Sequence, residues 1–447
     1  MPPSAISLAP AARQRLRRSF AAAYANAGLW GVGSGLASVT LIIFLVRIRG
    51  ASGAEISWIL AAPSLAGLVR LAAPAWIDCL GSRRRFCVAA FGASAAVLAA
   101  MPLLASPAMI PSPRAARAGI IATWVGYHVL EALGVVALWA WLADIIPAPI
   151  RGRVLGRREA WLNIGAVVGG AAAIAATMLW PRHGEWWLGQ SMAEATLEFQ
   201  AYAACGMAGA TAMAAAAIGL LGIVDLPRGP WAAPRASRGL TLSNLWGPLR
   251  DEGFRRFMAF GLWFSFSNGV IQTPQSIYPI GPLGFSFAAK KTLDGASRAL
   301  KAALLPWVGR RVDRRGSVRT LAVSQAIIAT APLFLLWATP INPWWILGAY
   351  ACWLAYAGHD VTLNNLMLSF SPPGQAARYS AAWLAWTQFA FAISVLAGGM
   401  LFDLLEASSM SLALAGRPLN HFAILFTAGW LLKALGVPLA TRIRPPH

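Results

Sequence analysis

Twelve stretches of this chain are each about as long and as apolar as a helix must be to cross a lipid bilayer, and nothing else in the sequence limits its fold as strongly. They run over residues 20–46, 54–77, 86–105, 118–145, 160–180, 199–224, 255–278, 286–308, 319–339, 343–369, 380–404 and 419–440. The hydrocarbon core is roughly 30 Å thick and holds no water, so a crossing segment has to satisfy its backbone hydrogen bonds internally. With 58% hydrophobic and 12% charged residues, the chain has more apolar surface than one or two soluble cores could hide. The expected fold is an all-α integral membrane protein with twelve transmembrane helices. The eighth stretch is the most interrupted, by Lys290, Lys291, Asp294, Arg298 and Lys301.

The longest hydrophilic stretch falls in the middle. Residues 227–253, with four prolines and several arginines, read as a linker between an N-terminal six-helix half, 1–226, and a C-terminal six-helix half, 254–447. Of the 37 Lys and Arg residues, 26 fall at the N-terminus, in loops 2–3, 4–5, 8–9 and 10–11, in the linker and at the C-terminal end. Eight are counted with the opposite loops, Lys290 and Lys291 at the start of the eighth stretch among them, Lys433 is counted with the C-terminal end, and the three counted inside spans are Arg70, Arg298 and Lys301. The positive-inside rule then puts both termini and the linker in the cytoplasm, which requires an even number of crossings. The formal charge of +21 does not make the chain a nucleic-acid binder, because its basic residues sit in short clusters between apolar runs without a zinc or stacking motif. Cys79, Cys87, Cys205 and Cys352 form no CxxC pair, so neither a disulfide framework nor a metal site is expected. The arginines before residue 20 resemble the start of a signal peptide, but the apolar run behind them suits a retained helix.

The two halves repeat one another. After the second span the chain reads Pro74-Ala-Trp-Ile-Asp78-Cys-Leu-Gly81-Ser-Arg83-Arg84-Arg85, and after the eighth it reads Gly309-Arg-Arg-Val-Asp313-Arg314-Arg-Gly316-Ser-Val-Arg319-Thr320. From Asp78 to Asp313 and from Gly81 to Gly316 the offset is 235 residues. Loop 4–5, with Asp144 before Arg151-Gly152-Arg153, corresponds to loop 10–11 with Arg378. These loops resemble the cytoplasmic signature of the major facilitator superfamily, G-x-x-x-D-R-x-G-R-R. The resemblance implies a tight glycine turn between two helices and a cytoplasmic gate of Asp78, Gly81, Arg83, Arg84, Asp144, Arg151, Arg153, Gly309, Asp313, Arg314, Gly316 and Arg319. The first copy departs from the pattern at Pro74 and Cys79. Gly165, Gly169 and Gly170 on helix five, and Gly398 with Gly399 on helix eleven, read as close helix packing. Helix five lacks the proline of the superfamily's antiporter signature.

A charge at mid-bilayer costs roughly 2.5–3.5 kcal/mol on insertion scales, so each one needs a partner, a cavity or a route to the interface. The candidates are Arg70 on helix two, His128 and Glu131 on helix four, Arg298 and Lys301 on helix eight, and His359 with Asp360 on helix ten. His128 and Glu131 share a helical face, and the two His/acid sites occupy corresponding helices of the repeat at similar depth. Helices one, four, seven and ten line the central cavity in the superfamily. The resemblance therefore aims these groups at a solute pathway and adds Asn26, Asn268 and Gln272 to it.

The expectation is a secondary transporter that moves a small polar solute by alternating access, coupled to protons through the His/acid sites. The basic groups inside spans suggest an organic anion. A transporter-like sensor or assembly partner is the competing reading, and its cavity should have filled with apolar groups. The chain has no GxxxxGK[ST], HExxH or GxSxG motif, so an ATP-driven pump or an enzyme is not expected, nor any cofactor or metal. The partners implied are the bilayer, a small solute and protons, with no nucleic acid, and a bacterial inner membrane is the expected location.

Overall fold

The computed structural model describes residues 10–70, 82–146, 150–188, 193–224, 245–372, 375–408, 412–414 and 417–444. Almost all of them are helical. The helices are α1 (Pro10–Leu36), α2 (Val39–Ile48), α3 (Gly53–Val69), α4 (Arg83–Ala105), α5 (Pro113–Ile145), α6 (Arg151–Leu188), α7 (Glu194–Gly219), α8 (Glu252–Val270), α9 (Gln272–Ile277), α10 (Phe287–Arg315), α11 (Ser317–Trp337), α12 (Ile346–Trp353), α13 (Tyr356–Ser369), α14 (Ala376–Ala407) and α15 (His421–Thr441). Among the described residues, eight helical segments are long and apolar enough to cross a membrane. A pair of three-residue strands, β1 (Leu412–Leu414) and β2 (Arg417–Leu419), joins α14 to α15.

Local chemistry accounts for the ends and breaks of these helices. Ser82, Ser112, Asp251, Ser286 and Asn420 each accept a backbone N–H from the first turn of α4, α5, α8, α10 and α15, satisfying a donor the helix leaves over. Between α10 and α11 the chain turns at Gly316, whose φ of 81° is one that a residue with a Cβ rarely adopts. The seventh crossing is divided at Ile271, because Pro274 has no N–H to offer the Val270 carbonyl. The tenth is divided after Trp353, where Leu354 and Ala355 bond to carbonyls three residues back. Unlike its apolar neighbours, α10 carries charged residues along its length, one pair of them within the helix: Lys290 Nζ lies 2.6 Å from Asp294 Oδ1, to which the Tyr350 hydroxyl also donates at 2.7 Å.

The helices pack as two compact units, Met1–Leu45 with Val69–Gly239, and Val46–Leu68 with Leu240–His447. In the first, α1 lies against α6 through glycines on both helices. A Cβ at Gly165 or Gly169 would collide with the carbonyl of Gly28 or Val32, and one at Gly31 with that of Leu162. The second is organised around aromatics, with the Phe257 and Trp383 rings stacked 4.0 Å apart and Phe254, Phe260, Phe370 and Tyr379 packed about them. Here α3 rests on α14. A Cβ at Gly399 would strike Ser57, and the Asp403 carboxylate accepts the N–H groups of Gly53 and Ala54 at 2.7 and 2.9 Å. Those are first-turn donors of α3 at the positive end of its dipole.

The backbone contact between α1 and α6 yields a test. Gly169→Leu should destabilise the protein by about 1–3 kcal/mol or more, because neither backbone can yield to the added side chain. Thermal unfolding in detergent would register this as a lowered midpoint, whereas Gly219→Leu, where a Cβ meets nothing within 4 Å, should be near neutral.

Candidate functional site

A cavity of about 370 Å³ opens within the second unit among α3, α8, α13 and α14. Its polar groups include Asn268, Gln272, Tyr356, Thr387 and Gln388, with the Trp383 indole on the same wall, and among the described residues no Asp, Glu, Lys or Arg lines it. The Tyr356 hydroxyl donates to Asn268 Oδ1 at 2.7 Å, and Asn268 Nδ2 donates to the Phe264 carbonyl at 2.7 Å. That chain fixes which way the Asn268 amide faces. Asn268 and Gln272 flank the break at Ile271, so the disrupted backbone lies beside the cavity.

Behind Tyr356 lies an ionic cluster. Lys301 Nζ on α10 is 2.6 Å from Asp360 Oδ2 on α13 and 5.9 Å from the centre of the Tyr356 ring. The pair is partly exposed, with relative side-chain exposures of 34% for Lys301 and 49% for Asp360, so it adds little to stability, about 0–1 kcal/mol. His359 is 1% exposed, with its ring stacked on Phe264 at 3.9 Å. Its Nδ1 is 3.6 Å from Asp360 Oδ1, too far for a hydrogen bond, and neither ring nitrogen has another partner among the described residues. Tyr356 and Asp360 are four residues apart and so share a face of α13.

The first unit holds the other His/acid site. His128 Nδ1 is 3.0 Å from Glu131 Oε2, and the imidazole stands edge-on to Trp124 at 4.5 Å. Its Nε2 is buried without a partner among the described residues. Asn26 is 2% exposed and donates to the Ala216 carbonyl at 2.9 Å, so its amide ties α1 to α7. Arg70, just past α3, and Arg298, on α10, are exposed, and Arg298 does not line the cavity of its own unit.

The loop residues divide in the same way. Asp78 and Gly81 lie outside the described residues, as do the side chains of Asp144, Arg151, Arg153 and Asp313. Arg83 and Arg84 open α4, and Arg84 donates to the Leu221 carbonyl at 2.8 Å. Gly309 is an interior residue of α10, Arg314 belongs to its last turn and Arg319 to the first turn of α11; both arginines are exposed.

One group was misplaced by the sequence reading. Lys433, counted there with the C-terminal end, lies inside α15, is 0% exposed, and its Nζ has no hydrogen-bond partner among the described residues. Spans are recognised by average hydropathy, and a single lysine among leucines and alanines is lost in that average. The Lys433 carbonyl accepts from Gln325 Nε2 at 2.8 Å, and Gln325 Oε1 is itself unpartnered among the described residues. Also unanticipated were Tyr356, Trp383, Thr387 and Gln388 in the cavity. Helix eleven was read only for packing, and neutral side chains carry no charge anomaly to reveal them. Burying an amine without an acceptor is unfavourable, and Met is an unbranched chain of similar length. Lys433→Met is therefore expected to stabilise the protein by about 1–3 kcal/mol, a rise of a few degrees in thermal unfolding. A lowered midpoint would mean that the amine has a partner after all.

Comparison with known proteins accords with this architecture. The sequence model of the Major Facilitator Superfamily matches residues 23–395. The fold is similar to that of the nucleoside transporter NupG, at 12% identity and a TM-score of 0.62 over 96% of this chain and 98% of that one. It is similar also to a D-xylose-proton symporter, at 14% identity and 0.64 over 96% and 98%. The xylose transporter XylE from E. coli, in an inward open conformation, aligns at 13% identity and 0.60 over 96% of each chain. A search of curated proteins finds no match. At such identities the structural likeness is one of fold, and the sequence match carries the assignment: the chain belongs to the Major Facilitator Superfamily, an integral membrane transporter rather than an enzyme.

Proposed function

We propose that this chain is a proton-coupled secondary transporter of a small neutral polar solute, bound in the cavity beside Tyr356 and coupled through Lys301 and Asp360. The observation that carries this reading is the direct connection between the two sites. Tyr356 donates to Asn268 on the cavity side and lies under the Lys301 ammonium on the other, one helical turn from Asp360. A solute that takes over the Tyr356 or Asn268 hydrogen bond shifts the phenol, and the ion pair behind it feels the shift. Protonating Asp360 removes the charge that holds Lys301. The His128–Glu131 pair serves as a second proton site on the corresponding helix of the first half.

The substrate class follows from the lining. Amides, hydroxyls and an indole suit a neutral solute with several hydroxyl or ring groups, of the kind named for the nucleoside and xylose transporters of similar fold. An organic anion, expected from the basic groups inside spans, finds less support here, because Asp360 occupies the Lys301 charge and Arg298 does not line this cavity. The positive-inside distribution supports both termini facing the cytoplasm of a bacterial inner membrane. On that orientation the turn at Gly316, with Arg314 and Arg319, is a cytoplasmic gate element. The Asp403 contact with the first turn of α3 is then a seam at the opposite face, and alternating access makes and breaks such contacts in turn.

Reconstitution into proteoliposomes provides the test. An inward proton gradient should drive uptake of a labelled pentose or nucleoside, with phosphorylated and cationic analogues poorer competitors. Tyr356→Phe should raise KM by about two- to tenfold, the worth of one hydrogen bond. Asp360→Asn and Glu131→Gln should abolish uphill accumulation and keep downhill exchange. Preferential uptake of phosphorylated solutes would refute the substrate class, and normal accumulation by both acid variants would refute the coupling.

A further inference from the structure

A second groove of about 300 Å³, sharing no residue with the cavity, runs between α10 and α11 with the joint of α12 and α13 as its floor. Its two ends differ in chemistry. One is apolar, with Trp307, Val323 and Ile327 exposed to the surroundings at 51%, 54% and 44%. The other carries Arg311, Arg315 and Arg319, and an adjoining recess of about 750 Å³ shares Arg315 and Arg319 and adds Arg444. Among the described residues none of these four guanidiniums is ion-paired with a carboxylate. Arg311 lies over the Trp307 indole at 5.0 Å, which fixes its head where the apolar and charged ends meet.

We propose that this groove is a binding site for one anionic phospholipid, its phosphate held by Arg311, Arg315 and Arg319 and an acyl chain laid along Val323 and Ile327. A guanidinium grips phosphate through two parallel N–H donors, and three converging on one end of a groove exceed what snorkelling to the interface requires. Basic pockets between helices at a membrane face recognise anionic headgroups in this way. A soluble anion would use the arginines and leave the apolar length empty. A zwitterionic lipid would bring its own cation against four guanidiniums. Val323 and Ile327 are four residues apart on α11, so they form one stripe for a chain to follow. The site involves neither the cavity nor Asp360, and Arg319 is the one residue it shares with the gate element proposed above.

Native mass spectrometry of the detergent-purified full chain tests the proposal directly. Titration with dioleoyl phosphatidylglycerol should give one retained adduct that dioleoyl phosphatidylcholine does not give. The Arg311→Gln/Arg315→Gln/Arg319→Gln variant should bind it about tenfold more weakly, while the control Arg17→Gln/Arg18→Gln, also exposed basic residues, should not differ from the parent. Ile327→Trp, which leaves every arginine in place, should weaken retention by filling the apolar end. Inorganic phosphate at millimolar concentration should not displace the lipid. Equal retention of the two lipids, an unaffected triple variant, or displacement by inorganic phosphate would each overturn the proposal.

Discussion

The bilayer's refusal to hydrogen-bond the backbone governs everything else in this structure. Each crossing must close its own N–H and C=O groups, which leaves helices as the only element available to an open chain. Once every segment is a helix, lipid supplies no hydrophobic force to press them together, so contact depends on how closely backbones approach. The glycines facing each other across α1 and α6, and Gly399 against Ser57, are the response. Where the ladder is interrupted, at Ile271 and after Trp353, the interruption borders a cavity or a neighbouring helix, where side chains can compensate.

That constraint also marks which polar groups matter. A group that is buried and well partnered, such as Asn26 on the Ala216 carbonyl, holds helices together. The groups open to function are partnered in ways that can change. Lys301 and Asp360 form a short but partly exposed pair, which contributes little to stability and is therefore readily broken and remade. Tyr356 bridges from that pair to Asn268 in the cavity, and under the proposed function it is the intermediary that solute and proton share. In the proposed mechanism this economy of contacts is the coupling: no long-range pathway is needed when one phenol touches both sites.

Much of the fold is legible in the sequence because it depends on segment averages. Hydropathy over about 20 residues picks out the crossings, and the Asp and Gly repeat at an offset of 235 identifies the superfamily, whose sequence model matches residues 23–395. The site is legible only where a residue type is unusual for its place. His128 with Glu131, and His359 with Asp360, stand out as ionisable groups in apolar runs, and the structure pairs the first two and places Lys301 on Asp360. Which way a side chain faces depends on tertiary packing that no local pattern encodes. The uses of Asn26, Gln388 and Thr387, and the packing of Val46–Leu68 with the second unit, were unreadable for that reason. Lys433 shows the converse limit, since a window wide enough to find a helix hides a single charge within it.

The central claim is that solute and proton move together through groups linked by Tyr356. The most direct measurement is solute-driven proton movement in proteoliposomes that begin with no pH gradient, followed with a pH-sensitive dye trapped inside. Adding a transported neutral solute outside should acidify the interior of vesicles carrying the parent protein and leave the pH unchanged with Asp360→Asn, although solute still enters. Solute entry without acidification in the parent protein would contradict the account.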